Sequence, residues 1–137
     1  MVNSDLSQVE YFPADKPWED SNGRFQLLGS CCPACSAKAF PPRKVCHRCG
    51  NTADIERLPL PCRGRLYSFT KVHVAPPGFE TPYIAGYVDL EGDVRIFTQL
   101  DGDGADLQVD APVELVLGKV RSLENGTPVM SVKFRKV

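Results

Sequence analysis

Residues 31–50 read CCPACSAKAFPPRKVCHRCG and hold five of the six cysteines in a chain of 137 residues. Cys32-x2-Cys35 is followed, ten residues later, by Cys46-x2-Cys49. A C-x2-C pair curls round one ion because two thiolates on a tight turn meet at one point. Two such pairs supply the four sulfurs of a closed tetrahedral zinc site. The expected ligands are therefore Cys32, Cys35, Cys46 and Cys49. Cys31 offers an alternative first pair with Cys35, and Cys32 is preferred because it makes the two pairs match. Cys62 has no partner nearby in sequence and is expected as a small buried thiol. The spacing leaves two other uses open: a rubredoxin-like iron centre, or a C-x2-C redox pair, which would normally sit on a βαβ pattern that this region lacks.

A tetrathiolate leaves no open position for water or substrate, so the expected Zn2+ is structural. Residues 24–62 carry few large apolar side chains, and metal binding can supply the free energy that a core would otherwise give. Lys38, Arg43, Lys44, His47 and Arg48 lie in or beside the loop, where they offset the negative charge of the cluster. That role argues against reading them as a nucleic-acid patch.

Composition points the same way. The net charge of −1 and pI near 6.1 give no bulk attraction to nucleic acid or anionic membrane. The start of the chain lacks the basic and apolar pattern of a signal peptide, and no apolar run approaches the ~20 residues of a membrane span. A cytoplasmic protein with reduced cysteines is the expectation.

The rest of the chain reads as mainly β. Residues 1–23 form the first unit, polar apart from Tyr11, Phe12 and Trp18. They are expected to be a short aromatic, partly helical docking segment, although Pro13 and Pro17 limit helix. Residues 24–62 form the rubredoxin-like zinc ribbon, entered by a strand at FQLLGS (25–30). Residues 63–137 carry five β segments: RLYSFTKVHV (65–74), YIAGYVDL (83–90), DVRIFTQL (93–100), PVELVLGKV (112–120) and VMSVKFRK (129–136). With turn signals at Glu91-Gly92 and Asn125-Gly126 and no helical period, they fit a five-stranded OB-fold barrel. Gly64 and Gly86 are natural places for bulges.

Alternation puts Leu66, Ser68, Thr70, Val72 and Val74 on one face of the first barrel strand and Arg65, Tyr67, Phe69, Lys71 and His73 on the other. The aliphatic sets of all strands are the expected core. Tyr67, Phe69, Tyr83, Tyr87 and Phe97, interleaved with Arg65, Lys71, His73 and Arg95, then make an aromatic and basic outer face suited to stacking bases, holding a nucleotide-containing cofactor or docking a partner; a slipped register would instead put some of these aromatics in the core and the small residues outside. DGDGAD (101–106) resembles a calcium loop, but Ala105 stands at its fifth position and no glutamate at its twelfth, so it reads as an acidic turn. Neither His47 nor His73 has a serine or cysteine placed as an obvious nucleophile partner, since Cys46 beside His47 is an expected metal ligand, and no catalytic residue is assigned.

The order of parts resembles the zinc-ribbon OB-fold family, a former domain of unknown function, whose members accompany thiolase-like acyl-CoA enzymes. The matching residues are Trp18-Glu19, the two cysteine pairs with FPPR (40–43) between them, Cys49-Gly50, GRLYSFTKVHV (64–74), Pro82-Tyr83 and Glu91-Gly92. Cys31 is extra, and Asp110 stands where the family often has glycine. The resemblance implies a non-catalytic accessory subunit that braces a thiolase-superfamily partner making or breaking a carbon–carbon bond beside a thioester, as in a benzoylsuccinyl-CoA thiolase. It also implies two copies on a thiolase dimer. Contact with CoA phosphates through Arg65, Lys71 and Arg95 is a weaker reading of the residues, and a solvated charged face explains them at least as well. Two competing functions are a single-strand nucleic-acid binder, which the net charge opposes, and a rubredoxin-type electron carrier, which would be an iron protein.

Overall fold

The computed structural model describes residues 9–19 and 22–137, and every regular element among them is a strand. The barrel is built from β5 (Arg63–Val72), β6 (Tyr83–Leu90), β7 (Val94–Leu100), β8 (Pro112–Ser122) and β9 (Pro128–Lys136). The antiparallel ladders β5–β6, β6–β7, β8–β9 and β5–β8 are joined by one parallel register pair, Leu100↔Phe134 between β7 and β9. That pair closes the sheet on itself in the order expected of an OB barrel.

Alternation sets the core. Along β7, Val94, Ile96, Thr98 and Leu100 are buried while Arg95 and Phe97 are exposed. Leu66, Ile84, Val88, Leu90, Val113 and Phe134 meet them inside.

On β5 the alternation breaks. The register shifts between Leu66 and Ser68, so Tyr67 is the extra residue of a bulge and everything after it turns over by one position. Leu66 faces the core, and beyond the bulge Phe69, opposite Gly86, packs against that core while Thr70 is exposed. This corrects the expectation that Leu66 and Thr70 share a face and that Phe69 lies outside with Tyr67. Gly86 is needed here for closeness rather than for a bulge of its own, since a Cβ on it would overlap the carbonyl oxygen of Ser68.

The ribbon is a three-stranded sheet, β3-β2-β4, with β2 at Leu27–Cys31, β3 at Lys38–Ala39 and β4 at Glu56–Leu60. Leu27 and Leu60 pair across it and join the apolar cluster of the barrel. What remains to the ribbon alone is a small cluster of Cys32, Ala37 and Cys46, packed by Cys35 and Ile55.

The expected helical character of the N-terminal segment is corrected. Among residues 9–19 there is a two-residue strand, β1 (Glu10–Tyr11), parallel to β9 at Val129 and Met130, then turns. Pro13 and Pro17 remove two backbone donors within five residues, and a strand edge of β9 offers those that remain a partner. Trp18 is only 1% exposed and lies in the common apolar cluster. Its carbonyl accepts from the Gln26 amide at 2.6 Å, and Pro17's carbonyl accepts from Leu28 at 2.6 Å, which staples the segment to β2. Residues 1–8 of the expected docking segment lie outside the described residues.

Candidate metal centre

The two cysteine pairs fold into two copies of one turn. In the first, the Ser36 amide donates to the Cys32 carbonyl at 2.8 Å and the Cys32 amide to the Ala37 carbonyl at 2.9 Å. In the second, Gly50 donates to Cys46 at 3.0 Å and Cys46 to Asn51 at 2.9 Å. Ser36 and Gly50, one place after the second cysteine of each pair, both have left-handed backbones, with φ of 67° and 77°. Each turn aims two sulfurs at one point.

The four sulfurs of Cys32, Cys35, Cys46 and Cys49 all lie within 4.8 Å of one another. Cys32 and Cys49 sulfurs are 3.7 Å apart, and those of Cys35 and Cys46 3.5 Å. The edge of a tetrahedron with metal–sulfur bonds of about 2.3 Å is about 3.8 Å, so one ion fits among them. A disulfide needs about 2.04 Å, far shorter than either separation. The structure therefore chooses Cys32 over Cys31. Cys31 continues β2, and its thiol points to the carbonyl of Cys32 at 3.9 Å instead.

Amides surround the cluster. Arg48 and Cys49 donate backbone N–H groups to the Cys46 sulfur at 3.3 and 3.4 Å. The amides of Cys49 and then Arg48 hold the Cys46 thiol down at about 6, against the opposing effect of burial. The Cys32 thiol is lowered as well: burial raises it, but the amides of Cys35 and Ala34 and the side chain of Asn51 together outweigh burial. At Cys35 the Ala37 amide lowers the thiol, while burial and the neighbouring thiols of Cys46, Cys49 and Cys32 raise it further, to about 12. Crowded thiols that cannot all ionise by themselves, ringed by N–H donors, are what a cation-bound tetrathiolate requires.

Asn51 was not foreseen in the sequence. Its Nδ2 donates to the Cys32 sulfur at 3.6 Å and to the Ala53 carbonyl at 2.8 Å, tying the second turn to a ligand of the first. Its position directly after Cys-Gly was the available signal. Cys62 is exposed, not buried as expected. It sits between β4 and β5, held by its backbone, whose carbonyl accepts from Leu115 at 2.8 Å. Two of the three acids of the 101–106 turn are engaged by lysines, Asp101 by Lys133 at 2.8 Å and Asp106 by Lys136 at 4.0 Å, and Asp103 accepts from the Ala105 amide at 2.9 Å.

The expected outer face is present in part. Tyr67, Tyr87 and Phe97 are exposed, and Tyr87 and Phe97 meet edge to face at 5.2 Å. Arg95 stacks over Tyr67 at 3.6 Å from the ring centre and forks onto Asp89, at 2.6 Å from Nε and 3.0 Å from the second nitrogen. Hydrogen bonding to Asp89 holds Arg95 still more firmly protonated. Arg65 and Arg95 flank Asp89 across three strands, and Arg65 also donates to the Asp110 carbonyl at 2.9 Å. Lys71 is six residues further along β5, about 20 Å at a strand's rise per residue. The three cations do not converge on one point. No helix of the described residues is long and apolar enough to cross a membrane.

A four-cysteine ribbon joined to a closed OB barrel is thus the class to which fold and site belong. Residues 58–118 match the family model described as ChsH2, C-terminal OB-fold domain. Benzoylsuccinyl-CoA thiolase subunit BbsA of Thauera aromatica is 38% identical over 130 residues, covering 94% of this chain and 90% of that protein. A DUF35 domain-containing scaffold protein of Methanocaldococcus jannaschii is 29% identical over 137 residues, covering 94% of this chain and 97% of the other. Among solved structures, the Ltp2-ChsH2(DUF35) aldolase superposes with a TM-score of 0.61 at 27% identity, over 81% of this chain and 84% of that one. The chain belongs to the DUF35 family of OB-fold proteins, with thiolase subunit BbsA and the ChsH2 domain among its relatives.

Proposed function

We propose that this chain is a non-catalytic, zinc-braced accessory subunit of a thiolase-superfamily acyl-CoA enzyme. The observation that carries the reading is the match, over nearly the whole of both chains, to a protein named as a thiolase subunit. Two further relatives are named as a scaffold and as part of an aldolase assembly, which supports a bracing role beside a catalytic chain.

The ion is Zn2+. Four closed sulfur ligands suit it, and it has no redox chemistry to lose in a reducing cytoplasm. Cys32, Cys35, Cys46 and Cys49 hold it. The ion fixes the ribbon sheet, the ribbon fixes Leu27 and Leu60 against the barrel, and the assembled surface presents one rigid shape to the partner. The partner supplies the carbon–carbon chemistry next to the thioester carbonyl. An aromatic acyl-CoA of the benzoylsuccinyl-CoA type is the substrate supported by the named relative, and two copies of this chain would flank a thiolase dimer. Contact with CoA phosphates through Arg65, Lys71 and Arg95 is a narrower part of the reading. Exposure of the three cations supports it, while the pairing of Arg95 with Asp89 favours a purely structural role for that residue.

Coexpression with a thiolase-like catalytic subunit tests the proposal. The two chains are expected to co-elute at a mass larger than either. Separate elution, with the catalytic subunit fully active alone, contradicts it. The exposed Tyr67, Tyr87 and Phe97 favour single-strand nucleic-acid binding as a second reading. A titration with labelled single strands at low salt decides that one, because true binding would weaken steeply as salt is raised.

A further inference from the structure

Where β7 and β9 part below their single register pair, a groove of about 420 Å³ opens. Four phenylalanines line it from four separate parts of the chain: Phe12 of the N-terminal segment, Phe40 of the ribbon arm, Phe79 of the β5–β6 connection and Phe97 of β7. Phe12 is 61% and Phe97 67% exposed, a large apolar area to leave in water. Through the edge contact of Phe97 with Tyr87, the apolar surface runs out of the groove onto β6.

One charged side chain lines this groove, Arg121. It is half-buried and has no hydrogen bond or ion pair among the described residues. Its neighbours differ: Lys119 is paired with Glu80 at 3.3 Å and Lys133 with Asp101 at 2.8 Å. Elsewhere on the barrel Glu114 holds Arg63 and Arg135 at 3.7 and 2.8 Å, so that surface satisfies its own charges. An apolar trough with one unpartnered guanidinium complements an apolar segment that carries one carboxylate.

We propose that this groove receives an exposed apolar segment of the catalytic subunit bearing one acidic side chain, with Phe97 as the packing anchor and Arg121 as the carboxylate partner. The inference rests on the accessory-subunit reading above. A macromolecular occupant is favoured over a small one because the apolar surface continues past the groove to Tyr87, whereas small-ligand sites enclose most of their ligand.

The test uses the full chain with its metal and the purified catalytic subunit. Phe97→Glu and Arg121→Glu are compared with Arg135→Glu on the ion-paired surface, and Phe97→Ser removes the anchor without adding charge. All four should retain the metal content and cooperative melting of the wild type. The Phe97 and Arg121 variants are expected to bind the catalytic subunit about tenfold or more weakly, and Arg135→Glu as well as the wild type. Wild-type affinity in the Phe97 and Arg121 variants overturns the groove assignment while leaving the accessory role intact. No binding by the wild type overturns the accessory role, and the groove assignment with it. A chain that dimerises alone and becomes monomeric on Phe97→Ser makes a second copy the occupant and overturns the proposal. An unchanged subunit affinity with a raised KM for the acyl-CoA does the same in favour of a small ligand.

Discussion

Ser36 and Gly50 hold the same place in the two metal-binding turns, each with a left-handed backbone, φ 67° and 77°. Only one of them is glycine. A Cβ at Gly50 would meet nothing within 4 Å, so the backbone conformation alone sets its cost. Gly50→Ala should destabilise the chain by about 1 kcal/mol and Ser36→Gly should stabilise it by a few tenths to about 1 kcal/mol. Thermal melts of the two variants check the opposite signs.

Trp18 ties three parts together. It is 1% exposed, contacts Tyr11 with ring centres 6.2 Å apart, and shares one apolar cluster with Leu27 of the ribbon and Val88 of the barrel. Trp18→Ala should cost about 3–5 kcal/mol. Loss of the ribbon's and barrel's melting in one cooperative step would follow, read by denaturant titration with probes in both parts.

The cysteine site was legible in the sequence because metal ligation depends on local turns, and the spacing of Cys32, Cys35, Cys46 and Cys49 encodes those turns directly. The barrel strands were legible because β7 alternates cleanly and the second half of β6 does so from Gly86 to Leu90. The face of β5 was not, since a single bulge at Tyr67 inverts every position after it and leaves no compositional mark. Nor was the fate of Trp18: an aromatic in a polar, proline-containing stretch reads equally well as a docking anchor or as a plug, and only the placement of β2 beside it decides. The groove at Arg121 draws its walls from six separate stretches of the chain, so no window of sequence contains it.

Asp110 stands in the left-handed region, φ 74°. That accounts for the glycine often found at this place in the family it resembles. Its amide donates to the Leu66 carbonyl at 2.6 Å and its carbonyl accepts from Arg65, contacts that need no side chain. Asp110→Gly should raise stability by about 0.5 kcal/mol, because aspartate tolerates this conformation better than most residues but not as freely as glycine. A small rise in melting temperature is the expected reading.

Protons compete with the metal at the sulfurs. Cys46, held at about 6, is a thiolate at neutral pH, whereas Cys35, pushed up to about 12, loses its proton to solvent only when the metal takes its sulfur. Ion binding therefore releases protons and weakens as pH falls. Zinc should stay bound at neutral pH and leave between about pH 6 and 4, followed with a colorimetric chelator. Retention of the ion below that range would contradict the thiolate assignment.

Lys71 and Arg95 separate the CoA reading from a structural one. In the assembled complex, alanine at both positions should raise KM for the acyl-CoA several-fold with kcat unchanged, as expected when uniform binding is removed. Unchanged constants would leave Arg95 with its Asp89 fork and Tyr67 stack alone, a solvent-screened surface pair.

Native mass spectrometry of the coexpressed pair addresses the metal and the partnership in one spectrum. The account predicts a complex of catalytic subunits with this chain in which every copy carries a single zinc, and loss of the complex after exhaustive chelation. This chain appearing by itself, or in a complex whose mass leaves no room for the ion, would contradict it.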